Sequence, residues 1–504
     1  METIDNLLDR ITMYRLVLYY LIILLFIALI YTLIGTLPFS PLSLVISTLF
    51  ILGVCWVTNK VFARAFNAPA NVESVYISAL ILALIVSPAK SLPDYIFLFW
   101  ASVLAMGSKY ILAVNKKHIF NPVAVAVAIT ALASVGSASW WVGTGSMLPF
   151  LLLGFLIVRK IRRFDLVYYF FLSVLVTLFV FSIMQGLNLF SSLKDVLMSS
   201  SLFFFAFVML TEPLTTPPTK KLQIIYAILV GIMFVPQFHI GAFYTTPEMA
   251  LVLGNLYSYL VSPKYKIMTT LKQKLQVAPD MIDFLFVTDK NFNFAPGQYM
   301  EWTIPHIKSD SRGNRRYFTL ASSPTEKVQR LGIRFYPKGS SFKKAMLNMD
   351  EKTPLVGAQL SGDFTLPEEP DRKLIFIAGG IGITPFRSMM KYLVDKNQQR
   401  PIILFYSNKL SSEIIYTDVF NEAYSRLGIK TVYTLTDKKS LPADWQGRVG
   451  RIDAAMIAQE APDYRERTFY LSGSHDMVVG FEETLKSLGI PEKQIKKDFF
   501  PGFA

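Results

Sequence analysis

The chain has 504 residues, 52% of them hydrophobic, and a formal net charge of +14, a length that sets an expectation of two or three domains. Charged residues thin out before about residue 265 and return after it, which excludes one soluble globular domain and points to a half built for lipid and a half built for water. The single cysteine, Cys55, excludes a disulfide, a cysteine-ligated iron–sulfur cluster or a zinc site built from cysteines of this chain, so any electron carrier is organic or haem.

In chain order, ten apolar runs are counted near 15–37, 41–58, 73–88, 94–114, 121–139, 147–158, 165–188, 200–217, 222–238 and 243–261. Most are close to the ~20 residues that cross a bilayer core. The first run reads as a retained helix rather than a signal peptide. With the N-terminus inside, the inner loops carry Lys60, Arg64, Lys116, Lys117, Arg159, Lys160, Arg162, Arg163, Lys220, Lys221, Lys264 and Lys266, and the outer loops only Lys90 and Lys194. That asymmetry predicts an integral membrane domain of about ten helices in a bacterial-type inner membrane, with both ends cytoplasmic. It accounts for the basic excess through loops beside anionic lipid, and no nucleic acid partner is expected.

Two histidines fall in the first half. His118 is expected at a helix start on the inner side and His239 in an outer turn, so a bilayer core of about 30 Å keeps them from sharing one haem. Glu212 is the sharpest polar residue there, because a carboxylate near the membrane interior faces a cavity or a partner. It is read as a site for a flavin, a quinone, a proton or a sodium ion; pairing with Lys220 or Lys221 at the interface is the alternative. The prolines of Asn121-Pro122 and of the stretch from Thr211 to Pro218 break the helical ladder, and backbone freed at membrane depth is tolerated where it lines a site.

The segments His118-Ile119-Phe120-Asn121-Pro122 and Leu210-Thr211-Glu212-Pro213-Leu214-Thr215-Thr216-Pro217 resemble the flavin-carrying membrane subunits, B and D, of the sodium-pumping NADH:quinone reductase and the Rnf complex. The resemblance implies FMN or riboflavin in the membrane half, with Asn121, Thr144 and Glu212 as membrane site candidates. Covalent FMN in that family sits on a threonine of a Ser-Gly-Ala-Thr type sequence. The corresponding loop here, Trp141-Val142-Gly143-Thr144-Gly145-Ser146-Met147, departs from it, so attachment at Thr144 or Ser146 and a non-covalent flavin both stay open.

From about Lys266 the pattern changes to short alternating segments, such as Leu275 to Val287 and Gln298 to Ile304, predicting an antiparallel β-barrel over 266–370. Over 371–504 apolar strands alternate with helices: Leu374 to Ile377, a helix from about Pro385 to Asp395, then strands at Ile402 to Tyr406, Thr431 to Leu435 and Thr468 to Leu471. This predicts a parallel nucleotide-binding α/β domain. Its glycine turn, Ala378-Gly379-Gly380-Ile381-Gly382-Ile383-Thr384-Pro385, lets backbone N–H groups approach a pyrophosphate at a helix N-terminus.

Five motifs stand in one order: Phe294-Ala295-Pro296-Gly297-Gln298-Tyr299, Arg316-Tyr317-Phe318-Thr319, Gly362-Asp363-Phe364, the glycine turn, and Ser472-Gly473-Ser474-His475-Asp476-Met477. Together they resemble the ferredoxin-NADP reductase flavoproteins across 266–504. The resemblance implies FAD on the Arg316, Tyr317, Phe318, Thr319 segment. Arg316 pairs with its phosphate, Phe318 packs on the flavin, and Thr319 offers a hydroxyl near the reactive nitrogen, which makes Thr319 and Phe318 the catalytic candidates. Gly339, Ser340, Ser341 and Phe342 resemble the second phosphate contact. Gly380, Gly382, Thr384 and Pro385 are expected at the NAD(P)H pyrophosphate, and Gly473 and Met477 beside the nicotinamide. Ser472 stands where the family often has cysteine. Phe500, in the tail Asp498 to Ala504, resembles aromatic residues placed near the flavin. His475 is expected to have a surface role. Lys409 could meet a 2′-phosphate and Glu413 repel one, and NADH is slightly favoured over NADPH.

The expected whole is a multi-domain membrane protein: transmembrane helices over 1–265, the FAD barrel and the NAD(P)H domain. Its expected function is electron transfer from NAD(P)H through FAD to a membrane flavin, quinone or other acceptor. Two alternatives stand beside it: a redox-linked ion or flavin transporter, and an anchored reductase serving a separate partner.

Overall fold

The computed structural model describes residues 8, 11–66, 72–114, 117–198, 201–236, 238–241, 243–262, 266–306, 310, 313–337 and 339–500. The chain divides into two compact units, Met1–Lys266 and Ile267–Ala504.

The first unit is helical: α1 (Met13–Leu33), α2 (Pro41–Ala65), α3 (Val72–Ile85), α4 (Leu92–Ile111), α5 (Pro122–Leu132), α6 (Phe155–Ile161), α7 (Phe164–Met184), α8 (Leu189–Met198), α9 (Lys220–Phe234) and α10 (Pro247–Val261). Between α8 and α9 a short turn at Leu202–Phe204 runs into a π-helical turn, Phe205–Met209. Among the described residues, three helices are long and apolar enough to cross a membrane, α1, α2 and α7. A fourth span results if α8 and Leu202–Met209, bent by 57°, count as one. About ten crossings, two of them from short runs, are expected from the sequence. Proline borders three of the shorter elements: α3 ends three residues before Pro88, α5 opens at Pro122, and the π-helical turn ends four residues before Pro213.

The backbone groups freed at these breaks are satisfied inside the unit. The Ile85 carbonyl at the end of α3 accepts from the N–H groups of Ser139 and Trp140, both at 2.8 Å. The Trp141 indole donates to the carbonyls of Ala83 (3.1 Å) and Val86 (3.0 Å). Such repair lets interrupted helices persist away from water. His118 is not at a helix start, as expected, but in a two-residue strand paired with Ala113–Val114; the helix start is Asn121, whose Oδ1 caps the amides of Val123 and Ala124.

The second unit holds two sheets. The first is antiparallel, with β1 (Ile267–Ala278), β2 (Met281–Thr288), β3 (Tyr299–Thr303), β4 (Arg315–Thr319), β5 (Gln329–Arg334) and β6 (Leu355–Ser361) in the order β4-β3-β6-β1-β2-β5, with α11 (Ser341–Asn348) between β5 and β6. The expected barrel is a curled sheet with β4 and β5 at its edges. Register shifts at Leu271/Gln273 and Gln276/Ala278 bend β1 and curl it.

The second sheet is parallel: β7 (Leu374–Gly379), β8 (Ile402–Asn408), β9 (Lys430–Leu435), β10 (Arg448–Val449), β11 (Thr468–Ser474) and β12 (Ile495–Phe500), ordered β10-β9-β8-β7-β11-β12. Helices α12 (Thr384–Asp395) and α13 (Thr417–Leu427) cover one face, and α14 (Ala454–Glu460) and α15 (His475–Ser487) the other. Alternation in β7 sends Leu374, Phe376 and Ala378 to the first core and Ile375 and Ile377 to the second. A strand buried on both faces explains why this stretch is apolar without a break.

Candidate functional sites in the two units

Strand alternation puts Arg316 and Phe318 of β4 on one face and Tyr317 on the other. The Arg316 guanidinium lies 5.3 Å over the ring of Phe342, and the Phe318 ring is 5.9 Å from the same ring. Phe342 is fully buried in the first turn of α11, so one aromatic side chain joins the strand to the helix. Tyr317 points elsewhere: its hydroxyl donates to Glu301 Oε2 at 3.0 Å.

At the start of α11, Ser340 accepts from the Lys343 amide at 3.3 Å. The Ser341 amide donates to Asp310 Oδ2 at 2.8 Å, and its hydroxyl accepts from the Asp310 amide at 2.9 Å. A carboxylate thus caps the helix end that the sequence assigned to a phosphate. His306 Nε2, 3.0 Å from the Ser341 hydroxyl, belongs to the same cluster.

The residues present fit FAD. The Thr319 hydroxyl is buried and has no protein partner among the described residues, the kind of group a bound ring nitrogen satisfies. Arg316 is buried, its Nη1 donating to the Arg315 carbonyl at 2.6 Å, and so a fixed cation is presented from the sheet rather than from a mobile surface arm.

The glycine turn closes β7. Gly380 has φ +53°, a backbone only glycine adopts cheaply. A Cβ on Gly379 would lie 2.0 Å from Met477 Cε, and one on Gly382 would lie 2.4 Å from the Ser472 carbonyl. These two glycines let the turn press against the end of β11 and the start of α15, bringing Gly380, Gly382, Thr384, Pro385, Gly473 and Met477 together at the carboxyl edge of a parallel sheet. Nucleotides bind at that edge in doubly wound folds. Phe500 ends β12, paired with Ser474 by its backbone; its side chain lies outside the described residues. His475 begins α15 half-buried.

Sequence reasoning missed Arg334, at the end of β5. Its Nε donates to Asp280 Oδ2 at 2.6 Å and its Nη2 to Glu413 Oε1 at 3.1 Å, while Nη1 lies 3.2 Å from where a Cβ on Gly380 would be. A cation therefore sits over the glycine turn. Glu413, weighed above as repelling a 2′-phosphate, has its charge met by Arg334, and its other oxygen accepts from the Lys409 amide at 3.2 Å.

In the first unit, Asn121 and Glu212 meet: the side-chain Nδ2 of Asn121 donates to Glu212 Oε2 at 2.8 Å, and the Thr215 hydroxyl donates to the same oxygen at 3.3 Å. His118 Nε2 is 3.7 Å from Glu212 Oε1. Asn255, fully buried in α10, accepts from the Asn121 amide at 2.7 Å and donates to the Tyr226 hydroxyl at 3.2 Å. Arg163 donates to Thr216. Lys220 pairs instead with Asp165 at 2.7 Å. Thr144 is not among these partners; its hydroxyl lies 3.2 Å from that of Ser146. Nearby in sequence, Trp140 donates to Glu248 Oε2 at 3.1 Å, a buried carboxylate that the sequence reading passed over.

Comparison with known proteins agrees with this division. Residues 376–483 match the oxidoreductase NAD-binding domain, and residues 135–266 match the NQR2, RnfD, RnfE family. The glycine betaine monooxygenase reductase subunit of Chromohalobacter salexigens is 25% identical over 230 residues, 45% of this chain and 62% of that protein. The flavohemoprotein of Burkholderia sp. (strain TH2) is 27% identical over 207 residues, 41% of this chain and 51% of that protein. The chain thus spans under two thirds of the length of these relatives. Among solved structures, the Amycolatopsis cytochrome P450 reductase aligns with a TM-score of 0.42 at 21% identity, covering 47% of this chain and 69% of that one. The chain therefore joins a ferredoxin-reductase-like module, for which FAD and NAD(P)H as cofactors are supported by its relatives, to a region that matches the NQR2, RnfD, RnfE family.

Proposed function

We propose that this protein is a membrane-bound NAD(P)H-dependent flavoprotein oxidoreductase that delivers electrons to a second carrier or acceptor in its membrane half. The observation that carries this reading is the seat at the carboxyl edge of the parallel sheet, where Gly379 and Gly382 are pressed against Met477 and Ser472 in the same compact unit as the Arg316–Thr319 strand. Bound FAD supplies the chemistry, accepting a hydride and releasing electrons one at a time. The chain supplies position and charge. Arg316 and Phe342 hold the phosphate end, Phe318 packs the ring, and Thr319 offers its hydroxyl at the reacting edge. Arg334 and the turn amides hold the dinucleotide, and Met477 and Gly473 border the nicotinamide.

In the membrane half, the Asn121–Glu212–His118 cluster is the exit site. It joins two proline-interrupted segments, and its carboxylate is placed to bind a polar ring edge or to carry the proton that accompanies reduction. We assign this site to a non-covalent flavin or to a quinone, with Thr144 and Ser146 as the positions for a covalent flavin, and the reductase module to the cytoplasmic side of a ten-crossing membrane domain. NADH is the favoured donor.

The test is the flavin content of the detergent-purified full-length protein, by acid extraction and mass. One FAD plus a second flavin per chain is expected if the membrane half carries its own redox group, and mass retained on the polypeptide marks a covalent link. FAD alone moves the acceptor role to quinone; no FAD at all overturns the reading.

A further inference from the structure

The two sheets of the reductase unit meet along a seam whose polar groups the mechanism above does not use. Asp283 of β2 is wholly buried between them. Its Oδ1 accepts from the Tyr416 hydroxyl at 2.6 Å, from the parallel-sheet side, and its Oδ2 accepts from Arg330 Nη1 at 2.6 Å, from the antiparallel-sheet side. Tyr416 stands immediately before α13 with φ +63°, a left-handed backbone that a bulky residue keeps only when its surroundings over-determine it. Arg387 lies 5.7 Å over the Tyr416 ring, pairs with Glu326, and donates to the Ala321 carbonyl at 2.9 Å. A second crossing runs beside it, from the Ser388 hydroxyl to the Ser322 carbonyl at 2.7 Å.

The seam borders the nucleotide seat. A Cβ on Gly332 would lie 2.7 Å from the Tyr416 hydroxyl and 3.0 Å from Thr384 Cγ2, so this glycine leaves room for both the phenol and the first residue of α12.

Resting on the functional reading above, we propose that Tyr416, clamped to Asp283, is a positioning residue that fixes the nicotinamide-bearing sheet against the flavin-bearing sheet and so sets the hydride-transfer distance. It touches no reacting atom. Its effect belongs to the rate of flavin reduction and not to binding, because hydride transfer depends steeply on approach geometry while the phosphate contacts lie on their own residues.

The experiment uses the full-length protein in detergent, with Tyr416→Phe and, as a second route to the same loosening, Asp283→Asn, which weakens the acceptor of the phenol without altering the phenol itself. Stopped-flow reduction is followed with the nucleotide that reduces the wild type faster, and with its 4-deuterated form. Both variants are expected to keep FAD and to bind nucleotide within about twofold of wild type. Flavin reduction is expected to slow about tenfold, with a larger deuterium isotope effect and unchanged reduction by dithionite. Flavin reduction at the wild-type rate in FAD-loaded protein of either variant overturns the proposal, as does slowing accounted for wholly by weaker nucleotide binding. A wild-type flavin that neither NADH nor NADPH reduces overturns the functional reading, and this proposal with it.

Discussion

The side-chain amide of Asn121 donates to Glu212 Oε2 at 2.8 Å across 91 residues of sequence, joining the start of α5 to the segment that follows the π-helical turn. Because the accepting atom is one oxygen of a carboxylate, Glu212→Gln keeps an acceptor for Asn121 and Thr215 and removes only the charge and the proton-carrying capacity. The expected outcome is a loss of at least about tenfold in reduction of the membrane acceptor, with NADH:ferricyanide activity, which needs only the reductase module, within about twofold. Parallel loss of both activities would sink the exit role.

On the proposed flavin side, Arg316 and Thr319 are expected to separate binding from chemistry. Removing the guanidinium that reaches across Phe342 deletes a charge-assisted contact worth about 1.5–3 kcal/mol. Arg316→Ala should therefore weaken FAD binding roughly 10- to 150-fold, measured by flavin titration of the apoprotein. Thr319→Ala should retain FAD and slow flavin reduction instead, since its hydroxyl is buried without a protein partner among the described residues, as a group serving a ring nitrogen would be. A Thr319→Ala protein that keeps both its FAD and the wild-type reduction rate would remove this residue from the site.

How far these features were legible in the sequence depends on the range of the interactions. Strand β7 was legible as Leu374 to Ile377 because burial on both faces writes one unbroken apolar run. Glu212 stood out because an acid next to proline in an apolar stretch has few structural excuses. The helix lengths were not legible: hydropathy sees apolar residues through a break, while Pro122 and Pro213 end the hydrogen-bond ladder within it. Arg334, Asp283 and Tyr416 carry no local signal at all. Asp283 and Tyr416 are 133 residues apart, and Arg334 finds Glu413 79 residues away, so only the assembled fold shows them as partners. The start of α11 is ambiguous in a different way, since a Ser-rich turn reads as an anion seat whether a ligand or Asp310 occupies it.

Arg334 yields a prediction of its own. Its fork spans Asp280 and Glu413 while a third nitrogen faces Gly380, a division of labour that a single ammonium cannot reproduce. Arg334→Lys should raise KM for the nucleotide about tenfold with little change in the rate at saturation, and Arg334→Ala should raise it further, because Glu413 is then left as an uncompensated anion beside the bound phosphates. A fall in the saturated rate at unchanged KM would place Arg334 in the seam and not in the nucleotide seat.

The last strand carries a pH signature. Asp498 of β12 pairs in register with Ser472 and is half-buried, with one carboxylate oxygen and the Ser472 hydroxyl enclosed and lacking protein partners among the described residues. Burial pushes its carboxyl up to about 7, from an ordinary value of about 3.9 in an unfolded chain. The folded state thus holds this proton more tightly than the unfolded state, so the group's contribution to stability is complete below about pH 4 and is lost as pH rises through 7. Asp498→Asn keeps the shape and cannot ionise. The variant should therefore gain stability over wild type as pH is raised, with Tm values close at pH 4 and separated at pH 8, most of the divergence building between the unfolded and folded values. Thermal melts followed by flavin fluorescence at the two pH values decide the matter, and an equal Tm difference at both would show that the Asp498 carboxyl is not raised in the folded protein.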